Sequence, residues 1–336
     1  MVAAVGDRPY ALVNLARTLL ADQNDYRGAA DLYRKALSLA PEDPKLRAIC
    51  REFLSRHVGN WYFTMVQDHR RHRLYDEAFR RAIRPGDRVL DIGAGTGLFA
   101  MIAARAGAHE VIACERDPIV AETARQIVAQ NGFSDVVRIL DKDSRELVLG
   151  ADLIEQADVL VWDNLANNLI GAGGLETVDD AKKRLLKPAA RLIPFAAEIK
   201  VALAETGGFE KMAEVEGFDL SLFDRLRRTS TRHPKKVERR SEPATLFSFD
   251  FTSNPPVEAR ETEISVRTTG GPVNAIAQWL RFRLFDDIRY DTDELDVMAF
   301  GVEAHPVDPF DSAPGGRALI GGRHDHGRLW LWLRDG

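Results

Sequence analysis

The 336-residue chain predicts three parts: a helical hairpin, an α/β domain built on a doubly wound parallel sheet, and an all-β domain, a barrel or sandwich. Three patterns carry that expectation. Residues 10–40 place apolar side chains at helical spacing. From Gly86 onward, short apolar runs alternate with helical patterns, as in a parallel sheet covered by helices. After Pro194 the texture turns to alternating segments separated by Gly, Pro and Asp clusters. The expected divisions are 1–58, 59–194 and 195–336, in keeping with a length about twice the ~150-residue prior for one domain.

Composition narrows the class. With 45% hydrophobic and 29% charged residues the chain can bury ordinary cores, so wholesale disorder is excluded. The only cysteines, Cys50 and Cys114, are too far apart in sequence for a metal cluster and suggest no disulfide framework. A reducing compartment and no metal are expected. Asp7 and Arg8 interrupt the apolar N-terminus, and no run approaches the ~18 apolar residues of a membrane span, so neither signal peptide nor membrane association is expected and the address is read as cytoplasmic. A formal charge of -5 gives no bulk electrostatic reason to expect nucleic acid.

The elements follow in order. ALVNLARTLLA and YRGAADLYRKALSLA form the hairpin around a polar turn at Asp22 to Asp25. Ala29, Tyr33, Ala36 and Pro41 have the relative spacing of a tetratricopeptide repeat, and LRAICREFLSRHV reads as the next helix, needed because one repeat cannot bury its apolar face alone. The hairpin reads either as a peptide-binding surface or as a structural cap. The strands of the α/β domain are DRVLDIG, EVIACE, VVRIL and ADVLVWD. The helix after the second has Asp117 as N-cap, Pro118 in its first turn and Asn131-Gly132 at its end. Beyond Pro194 come AEIKVALAE, LFSFDFTS, TEISVRTT, AIAQWLRFRLF and RLWLWLRD.

The first strand ends in Asp91-Ile92-Gly93-Ala94-Gly95-Thr96-Gly97 and opens a helix. Glycines at alternating positions let the backbone turn sharply and approach a ligand, while the helix N-terminus offers free N–H groups. A dinucleotide fingerprint needs its third glycine where Leu98 stands, which argues against nicotinamide and flavin. Glu115 ends the second strand, where a carboxylate can accept two ribose hydroxyls.

Asp91, the three glycines and Glu115 together resemble the class I S-adenosylmethionine-dependent methyltransferases, with their Rossmann-like domain. Upstream, Tyr62-Phe63-Thr64-Met65-Val66-Gln67-Asp68-His69-Arg70-Arg71-His72-Arg73-Leu74-Tyr75 is similar to the N-terminal motif of the protein arginine methyltransferases. The resemblance implies that Met65 lines the site and that Arg71 pairs with the cofactor's carboxylate, for which a planar guanidinium is suited. It places Asp143 or Ser144 at the adenine. The stretch Asp163-Asn164-Leu165-Ala166-Asn167-Asn168-Leu169-Ile170-Gly171-Ala172-Gly173 resembles the family's double-glutamate loop, in the version of members with tandem catalytic modules, one of which carries tetratricopeptide repeats in front.

The loop departs from the family pattern. Two glutamates hold the acceptor guanidinium in that family, and here those positions read Asp163 and Ala172. Loss of one partner of a buried charge pair typically costs ~2–5 kcal/mol. Either another acid compensates, Glu176 and Asp179 being nearest in sequence, or the acceptor is not a protein arginine. The family also pairs a barrel histidine, followed by tryptophan, with the acid of the N-terminal motif. Asp68 is that acid and His305 the candidate histidine, although Pro306 replaces the tryptophan; His324 and His326 compete.

A basic run, RLRRTSTRHPKKVERR at 225–240, reads as a solvated loop or as a site for an acidic partner or nucleic acid, and the family resemblance implies that it could be the inserted dimerisation arm. Without interleaved aromatics, base stacking is not expected. The expected function is methyl transfer from S-adenosylmethionine to a guanidino or other nitrogen, on a protein, peptide or small molecule. Asp163 would orient the acceptor, assisted by Asp68 and His305. The alternative is a cofactor-binding interaction protein that has lost catalysis. Since one module fills the length, a homodimer is expected to supply what tandem relatives achieve with two.

Overall fold

The computed structural model describes residues 6–23, 25–171, 173–207, 209, 214–226, 230–232, 237–253, 258–294, 300–325 and 327–334. Three helices open the chain: α1 (Pro9–Gln23), α2 (Tyr26–Leu39) and α3 (Pro44–His57). Asp25 caps α2 by accepting from the Gly28 amide at 2.8 Å, and Asp43 caps α3 from Lys45 and Leu46. Ala16, Ala29, Ala30 and Ala36 are fully buried, so the helices approach closely, and Tyr33 stacks on Phe53 at 4.2 Å between centroids. Ile119 of the α/β domain belongs to the same apolar cluster, so the helices are seated on that domain. Two further helices, α4 (Trp61–Gln67) and α5 (His69–Ala82), lead into the sheet.

The sheet holds β1 (Arg88–Ile92), β2 (Glu110–Glu115), β3 (Val137–Asp141), β4 (Ala157–Trp162) and β5 (Leu186–Ile193) in the order β3-β2-β1-β4-β5, all parallel. Helices α6 (Leu98–Arg105), α7 (Pro118–Gln130) and α8 (Gly174–Arg184) connect it. Asp117 caps α7 through the Ile119 and Val120 amides, and Gly132 takes a left-handed φ of 76° just past its end. The order reverses between β1 and β4, which creates a crevice outside their C-terminal ends. Strand β5, hidden in the sequence by Pro188, lies at the sheet edge, where proline costs no central ladder bond.

The C-terminal strands are β6 (Ala196–Thr206), β7 (Glu214–Val215), β8 (Phe218–Asp219), β9 (Thr231–Arg232), β10 (Val237–Arg239), β11 (Ala244–Asp250), β12 (Arg260–Arg267), β13 (Gly271–Phe285), β14 (Ile288–Asp291), β15 (Glu303–Ser312), β16 (Arg317–His324) and β17 (Leu329–Arg334). They form an antiparallel half-barrel, in keeping with the barrel expected. Its main sheet runs β10-β6-β13-β15-β9, and β12-β16-β17 form a second sheet. The long strands share their edges: β6 pairs β11 at one end and β10 at the other, and β13 likewise divides between β14 and β15. Splitting partners in this way splays a sheet. One apolar core runs continuously from Tyr75 and the parallel sheet to Ile276, Leu280 and Ile320 of the half-barrel. Among the described residues no helix is long and apolar enough to cross a membrane.

Candidate active site

The site lies at the crevice. Gly93, Gly95 and Gly97 all have left-handed φ values, of 84°, 53° and 78°. A side chain at Gly97 would come within 3.1 Å of Val128, and one at Gly95 would meet the Tyr62 ring. Glu115 is fixed beside this loop. Its carboxylate accepts from the Gly95 and Asp117 amides, each at 3.0 Å, and from the Tyr62 hydroxyl at 3.3 Å. Burial raises its pKa, opposed by those two amides. Asp91 is deeper. Burial, then the Glu115 charge, push its pKa up to about 7, against the pull of Arg71. Its Oδ2 atom is buried without a hydrogen-bond partner, as suits a group awaiting a donor from a ligand.

The N-terminal motif folds over this loop. Met65, on α4, is half-buried, and its carbonyl oxygen lies 2.9 Å from the Nε2 of His72. Asp68 caps α5 through the Arg71 amide at 2.9 Å. That turn points Arg71 inward, where its guanidinium lies 4.4 Å from the Phe99 centroid and forms a buried ion pair with Asp163. The Tyr75 hydroxyl donates to the other Asp163 oxygen at 3.0 Å. Desolvation lowers the Arg71 pKa from its ordinary value, yet a guanidinium in this range stays charged. Asp68, Arg71, Asp91, Glu115 and Asp163 thus come together around one crevice.

Asp143 and Ser144 lie one strand away. Asp143 is engaged by Arg145, whose hydrogen bonds hold its pKa down at about 2, while Ser144 is buried. Arg184 of α8 anchors this turn through the Leu147 and Ser144 carbonyl groups, at 2.8 and 3.3 Å.

Asp68 accepts from the Tyr290 hydroxyl at 2.6 Å, a partner 222 residues away with no signal in the local sequence. No hydrogen bond joins His305 to Asp68. His305 sits on β15 opposite Ile276, with its Nε2 buried and unpartnered, and burial lowers its pKa. His324 packs between Phe247 and Phe249 in the half-barrel, where a core role accounts for it. His326 and Ala172 lie outside the described residues. Of the acids proposed to compensate at the loop, Glu176 is exposed and Asp179 faces Lys182 at 3.5 Å.

In the basic run, 227–229 and 233–236 lie outside the described residues. Arg239 pairs with Asp293, and Arg240 with Glu205 and Glu238, so these two arginines are neutralised within the fold. Among the described residues no cluster could hold a metal ion.

Comparison with known proteins gives a consistent picture. Residues 68–193 match the family model of the ribosomal protein L11 methyltransferase (PrmA). An arginine N(omega)-methyltransferase of Streptomyces achromogenes subsp. streptozoticus is 35% identical over 282 residues, covering 81% of this chain and 77% of that protein. Protein arginine N-methyltransferase 7 of Oryza sativa subsp. indica is 32% identical over 246 residues, covering 65% of this chain. The match spans 34% of that plant protein, about a third of its length. Among solved structures, the Trypanosoma brucei PRMT1 enzyme-prozyme complex with AdoHcy shares the fold at a TM-score of 0.69 and 24% identity, covering 79% of this chain and 87% of that one. Arabidopsis thaliana protein arginine methyltransferase 10 does so at 0.67 and 16%, covering 84% and 98%. With sequence identity across most of an arginine methyltransferase and a fold shared with solved structures, the chain belongs to the protein arginine methyltransferase family of class I S-adenosylmethionine-dependent enzymes.

Proposed function

We propose that this protein transfers a methyl group from S-adenosylmethionine to a guanidino nitrogen of arginine. The observation that carries the reading is the buried Arg71–Asp163 pair above the glycine loop, which joins the arginine suited to the cofactor's carboxylate to the acid suited to the acceptor. Glu115 would hold the ribose hydroxyls, Arg71 the carboxylate, Met65 the wall beside the sulfur, and Asp143 or Ser144 the adenine. When bound, the cofactor supplies an electrophilic methyl on a sulfonium. The guanidino nitrogen would take that methyl and give up one proton to solvent, with Arg71 and Glu115 holding the cofactor. Asp163 orients that nitrogen. The protein's contribution is alignment and charge placement, with no covalent step on the enzyme. Asp68 and Tyr290 hold the turn that aims Arg71, and His305 lies on the half-barrel strand that faces the acceptor side.

The acceptor is arginine itself or a small guanidine in preference to a protein side chain; the Streptomyces relative's name, which gives arginine without "protein", favours this. The working form is a homodimer. Incubation with labelled cofactor and either free arginine, arginine peptides or simple amines should give a methylated guanidino product, with highest kcat/KM on the small acceptor. If cofactor binds, no arginine is methylated, and Asp163→Glu with Ala172→Glu creates the activity, the chain is instead a cofactor-binding interaction protein.

A further inference from the structure

The loop from Asp163 lacks its second acid, and neither nearby acid of α8 faces inward unpaired. A buried carboxylate stands on the other wall. Glu303, the first residue of β15, is 7% exposed, and its Oε2 has no hydrogen-bond partner among the described residues. Its Oε1 accepts from the Ser230 hydroxyl. A buried, half-satisfied carboxylate costs stability unless something positive completes it.

Register fixes where it faces. Glu303 lies opposite Gln278 of β13, and Gln278 lies opposite Val201 of β6, so all three share one face of the sheet. That face carries Ile199, Val201, Leu203, Ile276 and Leu280, members of the core shared with the parallel sheet, while Trp279, Ala277 and Ala202 form a separate cluster on the opposite face. Gln278 is fully buried and donates through Nε2 to the Asn167 carbonyl oxygen at 3.3 Å, which ties it to the loop that begins at Asp163. At the other end of that loop Asn164 packs against Gly93, where an added side-chain carbon would come within 3.3 Å. A continuous path therefore runs from the glycine loop through Asn164 and Asn167 to Gln278 and Glu303.

Of the buried, unpartnered atoms along this path, Asn164 Oδ1, Asn168 Oδ1, Gln278 Oε1 and Glu303 Oε2 are acceptors and Asn167 Nδ2 is a donor, with His305 Nε2 two residues on from Glu303. A guanidinium brings five N–H donors and no acceptor, and matches such a wall better than an amine or a hydroxyl does. We propose that Glu303 of β15, with Gln278 beside it, supplies the second carboxylate of the acceptor site and binds the arginine guanidinium from the half-barrel side, in place of the glutamate absent at Ala172. This inference rests on the arginine reading above and names the residue that completes it.

The test uses Glu303→Gln, which keeps the shape and removes the charge, with Glu303→Asp as a second variant. Wild type and variants are titrated with arginine in saturating S-adenosylhomocysteine by calorimetry and assayed for methylation, and S-adenosylhomocysteine affinity and thermal melting are recorded in parallel. Expected for Glu303→Gln is a loss of arginine affinity and of kcat/KM of roughly 30-fold or more, with unchanged S-adenosylhomocysteine affinity and an arginine-free melting temperature no lower than that of wild type. Glu303→Asp should retain part of the activity, and Ala172→Glu should restore arginine binding to Glu303→Gln. An active wild type with an equally active Glu303→Gln overturns this inference alone. A wild type that binds S-adenosylhomocysteine but neither binds nor methylates arginine overturns the arginine reading as well.

Discussion

At the scale of single residues, Arg71 and Asp163 form a buried ion pair, and the Tyr75 hydroxyl donates to the other Asp163 oxygen. On the proposed reading, a cofactor carboxylate that engages Arg71 would leave the Asp163 carboxylate short of its cationic partner. A cationic acceptor then completes it. The two ligands should bind with positive coupling, arginine binding at least ~5-fold more tightly when S-adenosylhomocysteine is present. Paired titrations measure this, and Asp163→Asn should abolish the coupling while keeping cofactor affinity. Replacing the fork of Arg71 by a point charge, Arg71→Lys, should weaken S-adenosylhomocysteine binding by about 1.5–3 kcal/mol, roughly 10- to 150-fold. Asp91 gives a pH signature. Its pKa, up to about 7 in the folded protein, lies above the unfolded value, so the carboxylate takes up a proton on folding at mildly acidic pH. Stability from this group is full below the unfolded value near 3.8 and is lost as pH rises through about 7. Cofactor carries an ammonium that favours the ionised form, so its affinity should climb from about pH 6 to about pH 8 and then level off. Calorimetry across that range checks the slope, which Asp91→Asn should remove.

At the scale of elements, α4 is the least anchored part of the site. None of its residues is fully buried, Trp61, Phe63 and Val66 are exposed, and Tyr62 reaches Glu115 through one long hydrogen bond. Local opening free energies are low where burial is slight. Amide exchange over 61–67 should therefore be fast without ligand and slow markedly with S-adenosylhomocysteine, which hydrogen-exchange mass spectrometry would detect; equal exchange in both states would falsify a closing role for α4. This contrast also explains what the sequence could disclose. Asp91, the glycines and Glu115 sit within a single strand–helix–strand unit, so capping and backbone conformation mark them locally. Tyr290 and Gln278 act from strands far away in the chain, and a polar residue within the apolar start of AIAQWLRFRLF is the only local hint of Gln278. His305 drew notice as a histidine, whereas Glu303, two residues earlier on the same strand, did not, because strand register decides which faces and partners matter.

At the scale of the whole molecule, the segment between β6 and β10 is rich in unprotected apolar side chains. Val215, Phe218, Leu222, Phe223 and Leu226 are all exposed, an unusual density for a monomer surface. Association through this segment into a two-fold dimer would cover them. Sedimentation at micromolar concentration should give twice the 37.5 kDa chain mass, and Leu222→Glu with Phe223→Glu should yield a monomer with unchanged melting. The division into helical, parallel-sheet and half-barrel parts was foreseeable from changes in periodicity alone. The division of the β6 and β13 edges between two partners each was not, because it depends on which strand each end selects. The foot of the same segment has a mechanical consequence. Its return strand β9 pairs with β15 at Glu303 and Ala304, and Ser230 just before it donates to the Glu303 carboxylate. A dimer formed through this segment would therefore adjoin the proposed acceptor carboxylate through Ser230, and turnover per subunit is then expected to change with protein concentration, which assays over a dilution series would measure.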